Sequence, residues 1–236
     1  MMKSKSVWIT GLGLWFALTA QVVVAELPAA QIKAAQERWA EEIAKLRAKD
    51  EVERHPADAV LFLGSSSVRL WEGIAADMAP YHPIQRGYGG ARFADLVVFA
   101  EELVKPHRYQ AAVVFVGNDV TGKGTDVTVE QVVGWWQGVV KVLRERESKA
   151  AIFCVEITPT PLRWPAWERI QAMNRALKAA CENESGVHFV ETAGTFLDAD
   201  GLPKEDCFRK DRLHLSEVGY GLWAGLIKEA LDGVLK

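Results

Sequence analysis

Two short segments carry residue types that can do nucleophilic chemistry. Gly64-Ser65-Ser66-Ser67 sets three hydroxyls behind a glycine, and Asp211-Arg212-Leu213-His214 sets a carboxylate three residues before an imidazole. A serine hydroxyl is a poor nucleophile near neutral pH until a base takes its proton, and imidazole titrates in the right range to do so. Such an imidazole needs an acceptor on its other ring nitrogen, which Asp211 can supply. Attack on an acyl carbon then builds negative charge on the carbonyl oxygen, and hydrogen-bond donors must meet it. The backbone N–H groups of Ser66 and Gly90 and the side-chain amide of Asn118 are the candidates, and a glycine at position 90 lets the backbone approach a substrate with no Cβ in the way. Taken singly, each block has a plainer reading. Gly-Ser-Ser-Ser suits a turn or helix cap, Gly117-Asn118-Asp119 suits a turn, and Asp-x-x-His suits a surface pair ahead of a helix capped by Ser216. Of the remaining histidines, His55, His82 and His107 fall in connections and His188 falls inside an apolar run, where a hydrogen-bonded core role is expected.

The conjunction gains force from the elements around it. Short apolar runs at residues 60–63, 83–85, 111–116, 151–157 and 187–190 are mostly unbroken by polar alternation, as expected of parallel strands buried on both faces. Amphipathic stretches at 94–104, 128–146, 167–182 and 217–235 alternate with them. This order predicts a three-layer α/β/α sandwich around a five-stranded parallel sheet. The first three runs end directly in Gly64-Ser65-Ser66-Ser67, Gly87-Tyr88-Gly89-Gly90 and Gly117-Asn118-Asp119, and the fifth is followed at some distance by the Asp211 segment. Loops after parallel strands emerge at the carboxyl edge of the sheet, so the four polar segments converge on one rim.

Composition narrows the class. The 236 residues are 49% apolar and 25% charged, which excludes a disordered tail or a collagen-like rod, and they hold 28 basic against 31 acidic side chains. With no cluster of Lys and Arg, nucleic acid is not an expected partner. Lys3 and Lys5 precede an apolar run that is too short to span a bilayer and is broken by Thr10 and Thr19. Residues 1–25 therefore read as a secretory signal ending at Val23-Val24-Ala25, which implies export to a periplasmic or extracellular location and no stable membrane insertion after cleavage. Residues 26–56 read as an amphipathic helix over 29–49 plus a connection, and 57–236 as one domain. The helix is expected to lie on the domain, with a partner-binding face as the alternative. Cys154 reads as a buried thiol, and a Cys181–Cys207 bridge stays open. The five histidines show no metal-ligand spacing, there is no phosphate-binding loop, and no cofactor is expected.

The ordered blocks Leu61-Phe62-Leu63-Gly64-Ser65-Ser66-Ser67, Arg86-Gly87-Tyr88-Gly89-Gly90, Val116-Gly117-Asn118-Asp119 and Asp211-Arg212-Leu213-His214 resemble those of the SGNH hydrolases, also called the GDSL esterase/lipase family. The likeness runs from about Ala57 to the C-terminus. It departs from the family pattern at Ser65, where aspartate is usual, and at Val116, which takes a glycine position; Val68-Arg69-Leu70-Trp71 continues a Gly-Ser-Ser-Ser subgroup. The resemblance implies a flavodoxin-like fold, Ser66 as nucleophile, His214 and Asp211 as the rest of a triad, and Ser66, Gly90 and Asn118 as the oxyanion hole. It also implies a serine esterase acting on short acyl esters, acetyl groups on carbohydrate above all. Trp71 and Trp164 border rim segments where aromatic faces can stack on a sugar, with a core or helix-anchor role as the plainer reading, and Thr158-Pro159-Thr160-Pro161, with Arg163 nearby, resembles a subgroup segment that frames the same mouth. A lysophospholipase or thioesterase, or a non-catalytic carbohydrate-binding module, are the alternatives.

Overall fold

The computed structural model describes residues 27–236. The leader expected at residues 1–25 lies outside the described residues. Helix α1 (Ala29–Val52) precedes β1 (Val60–Gly64), which leads into two single-turn helices, α2 (Ser66–Arg69) and α3 (Ile74–Asp77). Then follow β2 (Pro83–Gly87), α4 (Phe93–Val104), β3 (Ala111–Phe115), α5 (Val129–Arg146), β4 (Ala151–Val155), a 3-10 segment (Pro161–Ala166), α6 (Trp167–Glu182), β5 (Val187–Val190), α7 (Ala193–Phe196) and α8 (Glu217–Leu235). All strand pairs are parallel, in the order β2-β1-β3-β4-β5. The five-stranded sheet with helices on both faces is the architecture expected from the apolar runs.

Alternate strand residues feed two cores. Leu61, Leu63, Ala112, Val114, Ile152 and Cys154 pack with α1, α4, α5 and α6, whereas Val60, Phe62, Val113, Phe115 and Phe153 pack with α2, α3 and α8. The three central strands β1, β3 and β4 are thus wetted on neither side, which is why their runs lack polar alternation. Local signals set the helix starts. Thr128 Oγ1 accepts from the Gln131 N–H while the Gln131 side chain accepts from the Thr128 N–H, and Ser216 Oγ accepts from the Gly219 N–H. The fourth strand stops two residues before the apolar run does, because the Ile157 N–H turns out of the ladder to Asn174 Oδ1 at 3.0 Å.

Helix α1 lies on the domain. It buries Ala35, Ile43 and Leu46, and its Trp39 ring meets Tyr88 edge-on at 5.4 Å. Its C-terminal end supplies counter-ions to Arg86, a fully buried guanidinium on β2 that donates to Asp50 Oδ1 at 2.6 and 2.8 Å and pairs with Glu53 at 2.9 Å. A buried cation without such partners is strongly unfavourable, so the pairing fixes the helix to the strand. The Cys181–Cys207 bridge left open above is excluded. All three cysteines are free and buried, with Cys181 beside Cys154 in one core and Cys207 in the core across the sheet.

Candidate active site

Strand order builds the site. The chain steps from β1 outward to β2 and then returns past β1 to β3, so the loops after β1 and β3 diverge at a topological switch point, where open α/β sheets bind ligands. Register makes the loops level: Gly64 pairs with Gly87 on one side and Phe115 on the other, so three strands end in one row. Gly64 is required there, since a Cβ would stand 2.0 Å from the Phe115 carbonyl oxygen, and its φ of +147° is foreign to L side chains. The Ser65 N–H donates to that same oxygen at 3.0 Å, and the chain then turns into α2 with Ser66 as its first residue.

Ser66 Oγ lies 3.0 Å from His214 Nε2, and His214 Nδ1 lies 2.7 Å from Asp211 Oδ2. Asp211 Oδ1 also accepts the backbone N–H groups of Leu213 and His214, each at 3.0 Å. Partial burial raises the Asp211 carboxyl, but the bonds from the His214 ring and from these N–H groups outweigh it and hold the pKa at about 2. The carboxylate is therefore an acceptor only, so the proton on the imidazole sits on Nδ1 and leaves Nε2 free to accept from the Ser66 hydroxyl. Among the described residues the His214 ring bonds the Ser66 hydroxyl and not that of Ser67, whose backbone carbonyl accepts from the Tyr220 hydroxyl at 2.8 Å.

The oxyanion candidates gather on the other side of Ser66. The N–H groups of Ser66 and Gly90 donate to no other backbone or side-chain atom among the described residues. A Cβ on Gly90 would stand 4.0 Å from Asn118 Nδ2, so that backbone runs beside the amide. Asn118 Nδ2 donates to the Ala91 carbonyl at 3.0 Å, and its Oδ1 accepts from Arg163 Nη2 at 2.6 Å. Asp119, next in line, is wholly buried and accepts the Phe93 N–H at 3.2 Å, tying the β3 loop to the start of α4. Burial pushes its carboxyl from 3.8 up to about 7, against the pull of that hydrogen bond and of Arg92.

A small cleft joins these groups, lined by Ser66, Asn118 and His214 together with Phe115, Ile157 and Leu213. Thr158, Thr160 and Arg163 also line it. The expectation for Trp71 is corrected. It is fully buried, stacks on Tyr220 at 5.3 Å and donates from Nε1 to Asp77 Oδ2 at 2.6 Å, because the chain turns inward after α2 and drops the indole into the α8 core. Trp164 is also absent from the lining and stacks instead on Trp167 at 5.8 Å. The apolar wall of Phe115, Ile157, Leu213 and Leu215 was missed in the sequence; the one available signal was that apolar residues flank each polar block.

Fold and site together define a three-layer α/β ester hydrolase. The GDSL-like Lipase/Acylhydrolase family model matches residues 62–222, more than half of the chain, and the chain belongs to that family. No curated protein sequence matches it. Among solved structures, a Streptococcus pneumonia protein described provisionally as a platelet activating factor superposes with a TM-score of 0.71 at 22% identity, covering 86% of this chain and all of its own. A GDSL-like lipase from Bacteroides thetaiotaomicron superposes with a TM-score of 0.64 at 20% identity, over 84% of this chain and 97% of that one. A carbohydrate esterase family 3 protein from Talaromyces cellulolyticus does so with a TM-score of 0.57 at 17% identity, over 75% and 97%. At these identities the likeness is one of fold.

Proposed function

We propose that this hydrolase cleaves short-chain acyl esters, acetyl esters of carbohydrate above all, through an acyl-enzyme on Ser66. The observation that carries the reading is the unbroken line from Ser66 Oγ to His214 Nε2 at 3.0 Å and from His214 Nδ1 to Asp211 at 2.7 Å. Ser66 Oγ attacks the carbonyl carbon as His214 Nε2 takes its proton, and the imidazolium so formed is stabilised by the ionised Asp211. The carbonyl oxygen, now negative, is met by the Ser66 and Gly90 N–H groups and the Asn118 amide. His214 returns the proton to the leaving alkoxide, then draws one from a water molecule that attacks the acyl carbon and frees the acid and the Ser66 hydroxyl.

The short acyl preference is supported by the small size of the cleft and its apolar wall of Phe115, Ile157 and Leu213. The carbohydrate preference is supported by the likeness to a family 3 carbohydrate esterase. Export is supported by the leader sequence alone. The test is hydrolysis of p-nitrophenyl esters by the full chain and by Ser66→Ala. The variant should lose about three orders of magnitude or more in kcat, and kcat/KM should fall as the acyl chain lengthens from acetate to octanoate. Equal activity in the two proteins refutes the nucleophile, and a rise with chain length assigns the cleft to lipid esters instead.

A further inference from the structure

Arg163 sits in the 3-10 segment after β4, 45 positions from Asn118, and lines the cleft. Its guanidinium spends two donors on neutral acceptors. Nη2 bonds Asn118 Oδ1 at 2.6 Å, and Nη1 bonds the carbonyl of Gly117, the residue before it. These bonds decide how the Asn118 amide is turned. A guanidinium only donates and a backbone carbonyl only accepts, so the amide oxygen must face Arg163 and the nitrogen must face the Ala91 carbonyl, 3.0 Å away. One N–H of the amide is thereby used, and the other is left beside the Gly90 backbone. Rotated by half a turn, the same side chain would set a carbonyl oxygen against an oxyanion.

We propose that Arg163 is the positioning residue of the oxyanion site, holding Asn118 in the single orientation that leaves an N–H for the developing negative charge. The charged donor also draws electron density from the amide carbonyl and makes the opposite N–H a stronger donor. The same segment reaches the base. The Leu162 N–H donates to the Arg212 carbonyl at 3.0 Å, so the loop that orients the oxyanion donor is bonded to the loop that carries His214. Arg163 thus acts through Asn118 and is not a substrate contact, which departs from the role its position in the sequence suggested. The inference rests on the esterase reading above.

The test is a double-mutant cycle on the full chain with p-nitrophenyl acetate. Arg163→Met should lower kcat about tenfold or more with KM held within about threefold, and Asn118→Ala about a hundredfold. In the Asn118→Ala background, Arg163→Met should cost almost nothing further, because the group it positions is gone. Arg163→Lys retains charge and stem but donates from one point, so it should keep the fold and still fall short of wild-type kcat; it carries the same cycle if the Met variant fails to fold. Wild-type kcat in both Arg163 variants, a raised KM at unchanged kcat, or losses that multiply in the double variant each overturn the proposal. If Ser66→Ala is inactive while Arg163→Met and Arg163→Lys keep wild-type kcat, this inference alone falls; if Ser66→Ala is as active as wild type, the esterase reading falls and takes this one with it.

Discussion

His214 Nε2 and Ser66 Oγ stand 3.0 Å apart across 148 positions of chain. Nothing local brings them together: Ser66 follows β1 in the middle of the sheet, while His214 is carried on a loop pinned by the Arg209 N–H to the His214 carbonyl at 2.7 Å and by the Phe208–Leu215 bridge. The loop therefore arrives with its imidazole already aimed, and Asp211 fixes which nitrogen faces the serine.

Replacing Asp211 by Asn should lower kcat by about three to four orders of magnitude, since an amide no longer dictates the tautomer that leaves Nε2 free. The carboxylate is about half exposed, so the melting temperature should stay close to that of the parent at neutral pH. With its folded pKa near 2 against an ordinary 3.8, Asp211 adds stability above about 3.8 that is lost as pH falls toward 2. A kcat in Asp211→Asn within tenfold of wild type would count against the orienting role.

Asp119 has the opposite sign. Its carboxyl is raised from 3.8 to about 7, so between those values the folded chain holds a proton that the unfolded chain releases, and stability falls as pH rises through that window. Asp119→Asn can still accept from the Phe93 N–H and carries no charge. Its melting temperature should exceed that of wild type at pH 8 and converge with it below about pH 4. Parallel melting curves across that range, followed by circular dichroism, would contradict this.

Gly89, with φ +29°, has no room for a side chain: a Cβ would stand 2.0 Å from the Trp39 ring. Gly89→Ala should cost about 2 kcal/mol or more and lower kcat by moving Gly90. Trp39→Leu in the same chain should recover part of the stability, as read from urea denaturation midpoints; no recovery would place the cost wholly in the backbone.

Arg86→Met should destabilise the fold by about 3–5 kcal/mol, because it strands Asp50 and Glu53 near a site with no solvent on the arginine side. Lys45→Met, which removes only surface pairs with Glu41 and Glu42 on the same helix, should leave the urea midpoint unchanged.

The strands, the main helices and the four polar blocks were legible because each rests on local pattern: unbroken apolar runs, helical spacing, and glycine or asparagine at strand ends. The placement of Trp71 was not. It follows the serine block by a few residues, which suggests the rim, but the single turn of α2 rotates the chain away from the cleft and Phe62, Tyr220 and Trp223 close around the ring. The bond from Arg163 to Asn118 has no sequence signature either, since it depends on how the segment after β4 folds over the end of β3. The level row of Gly64, Gly87 and Phe115 is a matter of register, which depends on packing between strands far apart in the chain.

Helix α1 lies upstream of the segment that the family model matches, yet its Trp39 buttresses the turn bearing Gly90 and its Asp50 neutralises Arg86. A chain trimmed to the matched segment would carry every reacting group and still lack the wedge beneath one oxyanion donor and the counter-charge for a strand at the heart of the site. The support of the chemistry therefore reaches back beyond the matched segment, to α1.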